Sequence, residues 1–368
     1  MNMKLFEIKS MLNLVLGATL LIGLGPLYAA SAPSPTTTAG FVYTANERGN
    51  SISVLDLRTG QVGTVTVSIS PHNVQTSSDG RLLFAVGMAA SKTAGGAAMG
   101  SMEQMNTGKK TRGMLLILNT ARINAKSRVN AQGVPSIEVG REPAHVVIDR
   151  QCRRAYVTNS ADNTVSVVDV ARRKVIATIA TGAFPHGLRI SPNGREIYVA
   201  DVKDNSVTVI SLAAAKEVSR IPVGKGPVQV GFTPNGRRVY VSLRDENSIA
   251  VIDTARRKKI AVVPVGRSPI QLFVTPNGRT VYVANQGTAS NPETTVSVVA
   301  TATDDVVATL VTGRGAHGVV VSRDGRDAFI TNSFADTVSI IDTATQKVIR
   351  SIKVGKGPNG ITFSSAAR

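Results

Sequence analysis

Four histidines and one cluster of methionines are the residues of this 368-residue chain best suited to chemistry. His72, His186 and His317 each stand four residues beyond a repeated position held by Ser68, Gly182 and Gly313, and His145 stands five beyond Gly140. The extra residue predicts a different direction for the His145 ring. The five methionines beyond Met11 all fall between Met88 and Met114, and Met99, Met102 and Met105 form "MGSMEQM". Imidazole and thioether together suit copper, because methionine is soft enough for Cu(I) and histidine accepts either oxidation state. The expected metal set is therefore His72, His186, His317, Met99, Met102 and Met105. A structural reading competes with it: histidine at a chain corner can simply hydrogen-bond a turn, and methionines in a Gly/Ala loop can form an apolar cover.

These residues are positioned by a repeat. Gly140, Gly182, Gly224, Gly266, Gly313 and Gly355 each close a "VG" or "TG" pair, at spacings of 42, 42, 42, 47 and 42 residues. Within one unit, "HGLRIS", "REIYVAD", "SVTVIS" and "EVSRIPV" are four β-branched runs divided by turn signals, the pattern of a four-stranded antiparallel blade. The first turn is "PNGR" at 192, 234 and 276, "SDGR" at 78 and "RDGR" at 323, with the lone Cys152 where the others have glycine. Asn-Gly and Asp-Gly supply the positive φ of a tight hairpin. The second strand has an aromatic at one register, Tyr43, Phe84, Tyr156, Tyr198, Tyr240, Tyr282 and Phe329, which predicts seven blades. The repeat starts at a second strand ("GFVYTAN") and stops after a first strand ("GPNGITFSS"), so the last strand is expected to complete the first blade and close the ring.

"AYVTNSADNTVSVVDVARRKVIATIATG" (155–182) and "FITNSFADTVSIIDTATQKVIRSIKVG" (329–355) resemble the YVTN repeat of YncE-like extracytoplasmic β-propellers. The resemblance implies an all-β, seven-bladed β-propeller. It implies little about activity, since such propellers include binding proteins, scaffolds, lactonases and haem-carrying domains. Two stretches exceed the plain repeat, at 88–113 and 287–295, both between the second and third strands of a blade.

The predicted organisation is a signal peptide over 1–32, a short linker at 33–39, and one propeller over 40–368. Lys4 and Lys9 precede an apolar run broken by Gly23, Gly25 and Pro26, which reads as a cleaved secretory signal and a periplasmic or secreted protein. In such a ring the first strand, a, is innermost and the fourth, d, outermost. The b-to-c and d-to-a connections share one face, so the histidines, the Met-rich loop and the second insertion are expected together at one mouth of the channel. His72, His145, His186, His317, Gln229, Gln271 and Asn359 are the expected ligand-binding residues there.

The opposite face is basic, in keeping with a formal net charge of +18. Arg172, Arg173 and Lys174, with Arg256, Arg257 and Lys258, form two runs that offer nonspecific contacts to nucleic acid or another polyanion. Without tryptophan and with few aromatics among the basic runs, base stacking lacks its platform. No G-x-S-x-G elbow, H-E-x-x-H motif or paired channel carboxylates occur, which points to binding rather than catalysis. Covalent haem is excluded by the lack of Cys-x-x-Cys-His, leaving non-covalent haem behind copper as a cofactor. The expected partner is a protein or an acidic macromolecule, and the expected state a monomer.

Overall fold

In the computed structural model, residues 38–90, 112–126 and 128–365 are described. The expected signal peptide, most of the linker, and Met99, Met102 and Met105 of the first insertion lie outside the described residues.

Seven antiparallel sheets form the ring, each with the four strands that the repeat predicts. The inner strands a, in ring order, are Pro358–Ser364, Ile69–Thr76, Pro143–Ile148, Pro185–Ile190, Pro227–Phe232, Pro269–Val274 and Ala316–Val321, of blades 1 to 7. Strand a of blade 1 pairs antiparallel with its strand b, Phe41–Asn46, from Phe41↔Ser364 to Asn46↔Pro358. The two ends of the repeat thus complete blade 1 and close the ring.

Packing follows from the alternation of each strand. Seven apolar clusters fill the seven interfaces between neighbouring blades; one joins Tyr198, Val207 and Val209 of blade 4 to Val230, Val241 and Ala250 of blade 5. The seven aromatics of strand b are all buried within them. Cys152 adopts φ 55°, the left-handed conformation its hairpin position requires.

Blade 2 departs from the plain repeat in a way the glycine spacing does not reveal. Its c-to-d connection is long, its strand d is only Ser136–Glu138, and the connection contributes a further strand, Arg128–Asn130. That strand pairs parallel with Val62–Thr66, the strand d of blade 1, and covers its edge.

A β-bulge at the head of every strand a positions the channel. In blade 4 the pairing jumps from Pro185↔Asp201 to Leu188↔Val199, so His186 and Gly187 together face one residue of strand b. The same shift occurs in the other blades. A bulge interrupts the in/out alternation, so either of its two residues can direct a side chain into the channel.

Asparagine at the end of strand b ties the blade internally. The Nδ2 of Asn159 donates to Thr164 Oγ1 (3.0 Å) and Ser166 Oγ (2.9 Å), and Asn46, Asn285 and Asn332 do likewise. Blade 4 has Asp201 instead, fully buried, with Oδ2 accepting from Thr208 (2.7 Å) and Oδ1 without a partner among the described residues. Burial pushes its carboxyl up to about 7. The folded state therefore holds this proton more tightly than the unfolded chain, and stability is lost as pH rises from the ordinary carboxylate range through about 7. Asp201→Asn restores the repeat's residue. Urea denaturation is expected to show little difference from the parent at pH 4 and a gap in favour of the variant reaching ~2–4 kcal/mol at pH 8. A gap of equal size at both pH values would contradict the assignment.

Candidate functional site

The bulge offers two positions per blade, and each blade fills at least one with a polar side chain, blade 2 filling both with His72 and Asn73. The first is used by His72, His186, His317 and Asn359, and the second by His145, Gln229 and Gln271, where Ala144, Val228 and Ile270 occupy the first. His145 therefore joins the other histidines despite its offset. Where the first position is used in blade 4, the second is Gly187, whose missing Cβ would stand 2.5 Å from the Val228 carbonyl and 2.4 Å from Gln229 Oε1. Strand b hydroxyls fix the bulges to one another. Thr158 Oγ1 accepts from His145 N (3.0 Å) and donates to the His186 carbonyl of the next blade (2.7 Å). Ser242 and Thr331 make the equivalent bridges in blades 5 and 7.

All four imidazoles are buried. Ring centroids lie 4.8 Å apart for His145 and His186, 5.3 Å for His72 and His186, 5.9 Å for His72 and His145, and 6.3 Å for His72 and His317. One ring nitrogen from each of His72, His145 and His186 falls within 4.8 Å of the others. His317 lies beside this trio rather than in it, so the three-histidine set differs from the expected one by His145 in place of His317.

Hydrogen bonds fix the tautomers. His72 Nδ1 is 3.2 Å from Glu47 Oε1, and a carboxylate accepts, so this nitrogen carries a proton. His186 Nδ1 is 3.2 Å from the Val228 carbonyl, which also only accepts. The two remaining nitrogens, His72 Nε2 and His186 Nε2, face one another at 3.3 Å. In neutral rings these are two lone pairs, which repel unless a proton or a metal ion stands between them. Among the described residues, the buried His145 Nε2, His317 Nδ1 and Gln271 Nε2 have no hydrogen-bond partner.

Electrostatics keeps three of the rings neutral. Burial lowers His145 and His186 well below the usual imidazole range, and proximity to other histidines lowers them further. Arg189 adds to the effect on His145. His317 is brought down to about 3, chiefly by burial and then by His72. Neutral imidazole is the form that ligates metals.

Glu47 is the residue that inspection of the histidines missed. It follows Asn46 in the b-to-c turn of blade 1, is buried, accepts from His72, and accepts also from Asn359 Nδ2. Its signal in the sequence was the position after the strand b asparagine, where other blades have Ser160, Gln286 and Ser333. Gln229 is held by its own bulge, Oε1 accepting from Val230 N at 3.0 Å, with Nε2 3.5 Å from His145 Nδ1.

Part of the basic face is already neutralised. Arg172 pairs with Asp169 (2.8 Å), Arg256 with Asp253 (2.7 Å) and Arg257 with Glu196 (2.6 Å). Arg173, Lys174 and Lys258 are exposed and have no ion-pair partner among the described residues.

The unfolded chain takes up protons near pH 6.5 that the folded His145, His186 and His317 refuse, so their contribution to stability is present above that pH and lost below it. Between pH 6 and 4.5, unfolding free energy is expected to fall by up to about 1.4 kcal/mol per pH unit for each such histidine. His145→Gln should remove one histidine's share from the slope measured by urea denaturation, and an unchanged slope would contradict this.

The YNCE-like β-propeller family model matches residues 151–238 and 277–368. No curated protein sequence matches the chain. Among solved structures it is similar to a functionally unknown protein from Desulfotomaculum acetoxidans DSM 771 (17% identity, 89% of this chain and 100% of that one, TM-score 0.70). It is similar also to a putative 6-phosphogluconolactonase from Bacteroides fragilis NCTC 9343 (14% identity, 90% and 100%, TM-score 0.68). A third is the hydrazine synthase of Kuenenia stuttgartiensis (20% identity, 79% and 88%, TM-score 0.62). At these identities the likeness is one of fold. With seven blades closed by its own two ends, and with that family model matching its repeats, the chain belongs to the YncE-like β-propeller family.

Proposed function

We propose that this chain is an exported metal-binding propeller whose site is the trio His72, His145 and His186 at the channel mouth. One observation carries the reading: the Nε2 atoms of His72 and His186 face each other at 3.3 Å while both Nδ1 atoms are engaged, one with a carboxylate and one with a backbone carbonyl. Metal-ligating histidines are characteristically oriented by such partners on the far nitrogen. Two nitrogens each bound at about 2.0–2.1 Å to a tetrahedral ion stand roughly 3.3–3.4 Å apart. A ring nitrogen of His145, buried and within 4.8 Å of one from each of the other two histidines, is the third donor.

Copper is the ion favoured, because the sequence supplies both imidazoles and a Met-x-x-Met-x-x-Met segment, whose thioethers suit Cu(I). The apolar, Lys-flanked N-terminal segment supports a periplasmic or secreted setting. Imidazole rings at centroid distances of 4.8–6.3 Å leave no slot for a porphyrin between them, which disfavours the haem alternative. The ion pairs of Arg172, Arg256 and Arg257 weaken the polyanion alternative.

The test is titration of metal-free protein with Cu(I), Cu(II) and Zn(II) against a competing chelator. One equivalent of copper is expected to bind, with affinity lowered at least about tenfold by His72→Gln, His145→Gln or His186→Gln and little changed by His317→Gln. Deletion of residues 91–111 should weaken Cu(I) more than Zn(II). Failure to retain any of the three ions, or indifference to all three trio substitutions, would refute the reading.

A further inference from the structure

The channel has a second end with different chemistry. Along strand a of blade 4, Arg189 follows His186 by three residues, about 10 Å further through the ring. There a cavity of about 470 Å³ opens on the a-to-b face, lined by residues from six of the seven blades, Arg189 among them. This volume is within the range of pockets that hold small molecules, roughly 300–1,000 Å³.

Arg189 is partly buried, and Nη1 donates to the Leu188 carbonyl at 3.0 Å. Among the described residues it has no carboxylate partner, whereas Arg220, Arg238 and Arg257 each pair with an acid. Enclosure in the channel brings the guanidinium down to about 10, so it stays charged at neutral pH. A charge withdrawn from solvent without a counter-charge is costly, and an exchangeable anion removes that cost. Arg150 and Arg323 also line the cavity, are exposed, and have no ion-pair partner among the described residues. The one acidic side chain in the lining, Asp149, is engaged with its own turn, accepting from Arg153 N at 2.7 Å. The walls between these cations mix apolar side chains, Val147, Ile190, Phe273 and Val320, with the polar Gln75 and Ser77 and the paired hydroxyls of Thr76 and Thr362.

We infer that this end of the channel binds a small organic anion, a carboxylate or phosphate head on an apolar body, with Arg189 as its anchor and Arg150 and Arg323 steering it in. The planar guanidinium fork suits either head group bidentately, and the apolar side chains of the lining, Val147, Phe273 and Val320 among them, take the body. The site does not depend on the metal reading, because it shares no side chain with the histidine trio.

Isothermal titration calorimetry with phenylphosphate, benzoate, inorganic phosphate and neutral phenol tests this. Phenylphosphate or benzoate should bind one per chain, inorganic phosphate more weakly, and phenol not measurably; which aromatic anion binds more tightly identifies the head group. Arg189→Met should weaken binding about 10- to 100-fold, the range of a lost charged hydrogen bond. It should also leave the melting temperature unchanged or raised. Arg189→Lys and the double variant Arg150→Ala/Arg323→Ala carry the test should Arg189→Met not fold, each being expected to weaken the anion several-fold. The exposed control Arg172→Ala should change nothing. Absence of binding by all the anions at millimolar concentration, or affinity untouched by the Arg189 variants and the double variant, would overturn the proposal.

Discussion

The bulge at the head of each inner strand is the constraint on which the channel depends. A regular strand would alternate, sending one of two neighbouring residues into the channel and the other into the blade interface. The bulge cancels that alternation over two residues, and the strand b hydroxyls of Thr158, Ser242 and Thr331 secure it to the next blade's backbone. Polar side chains from all seven blades consequently occupy the bulges at one mouth although they come from two different repeat positions. Interlocked blade interfaces filled by Val, Ile, Leu and the strand b aromatics make that convergence rigid.

Rigidity gives the histidines their chemistry. In water an imidazole near neutral pH relieves crowding by taking a proton, but burial makes that costly for His145, His186 and His317. The rings of His72 and His186 are oriented by Glu47 and by the Val228 carbonyl, which holds their Nε2 atoms face to face. Arg189 contributes from deeper in the channel by opposing protonation of His145. The two ends of one channel are thus electrostatically linked: neutral donors at one mouth and, toward the other, a cation with no carboxylate partner among the described residues.

Much of this was legible in the sequence. The 42-residue glycine spacing, the seven strand b aromatics and the split first blade specified the propeller and its closure, because each is a local signal repeated many times. The channel-mouth residues were legible as a group for the same reason. The direction of His145 was not, because the bulge is a pairing property that period-two reasoning does not register. Arg128–Asn130 was hidden by its place in an irregular connection, where a three-residue strand has no periodicity to detect. Glu47 and Arg189 were hidden by type, since single charged residues in a turn or a strand resemble ordinary solvated ones until burial is known.

X-ray absorption at the copper edge of the loaded protein, beside its His145→Gln variant, tests the central claim most directly. The account predicts a first shell of three nitrogens at about 2.0 Å in the parent and the loss of one of them in the variant. A shell without imidazole nitrogen, or one identical in both proteins, would contradict it.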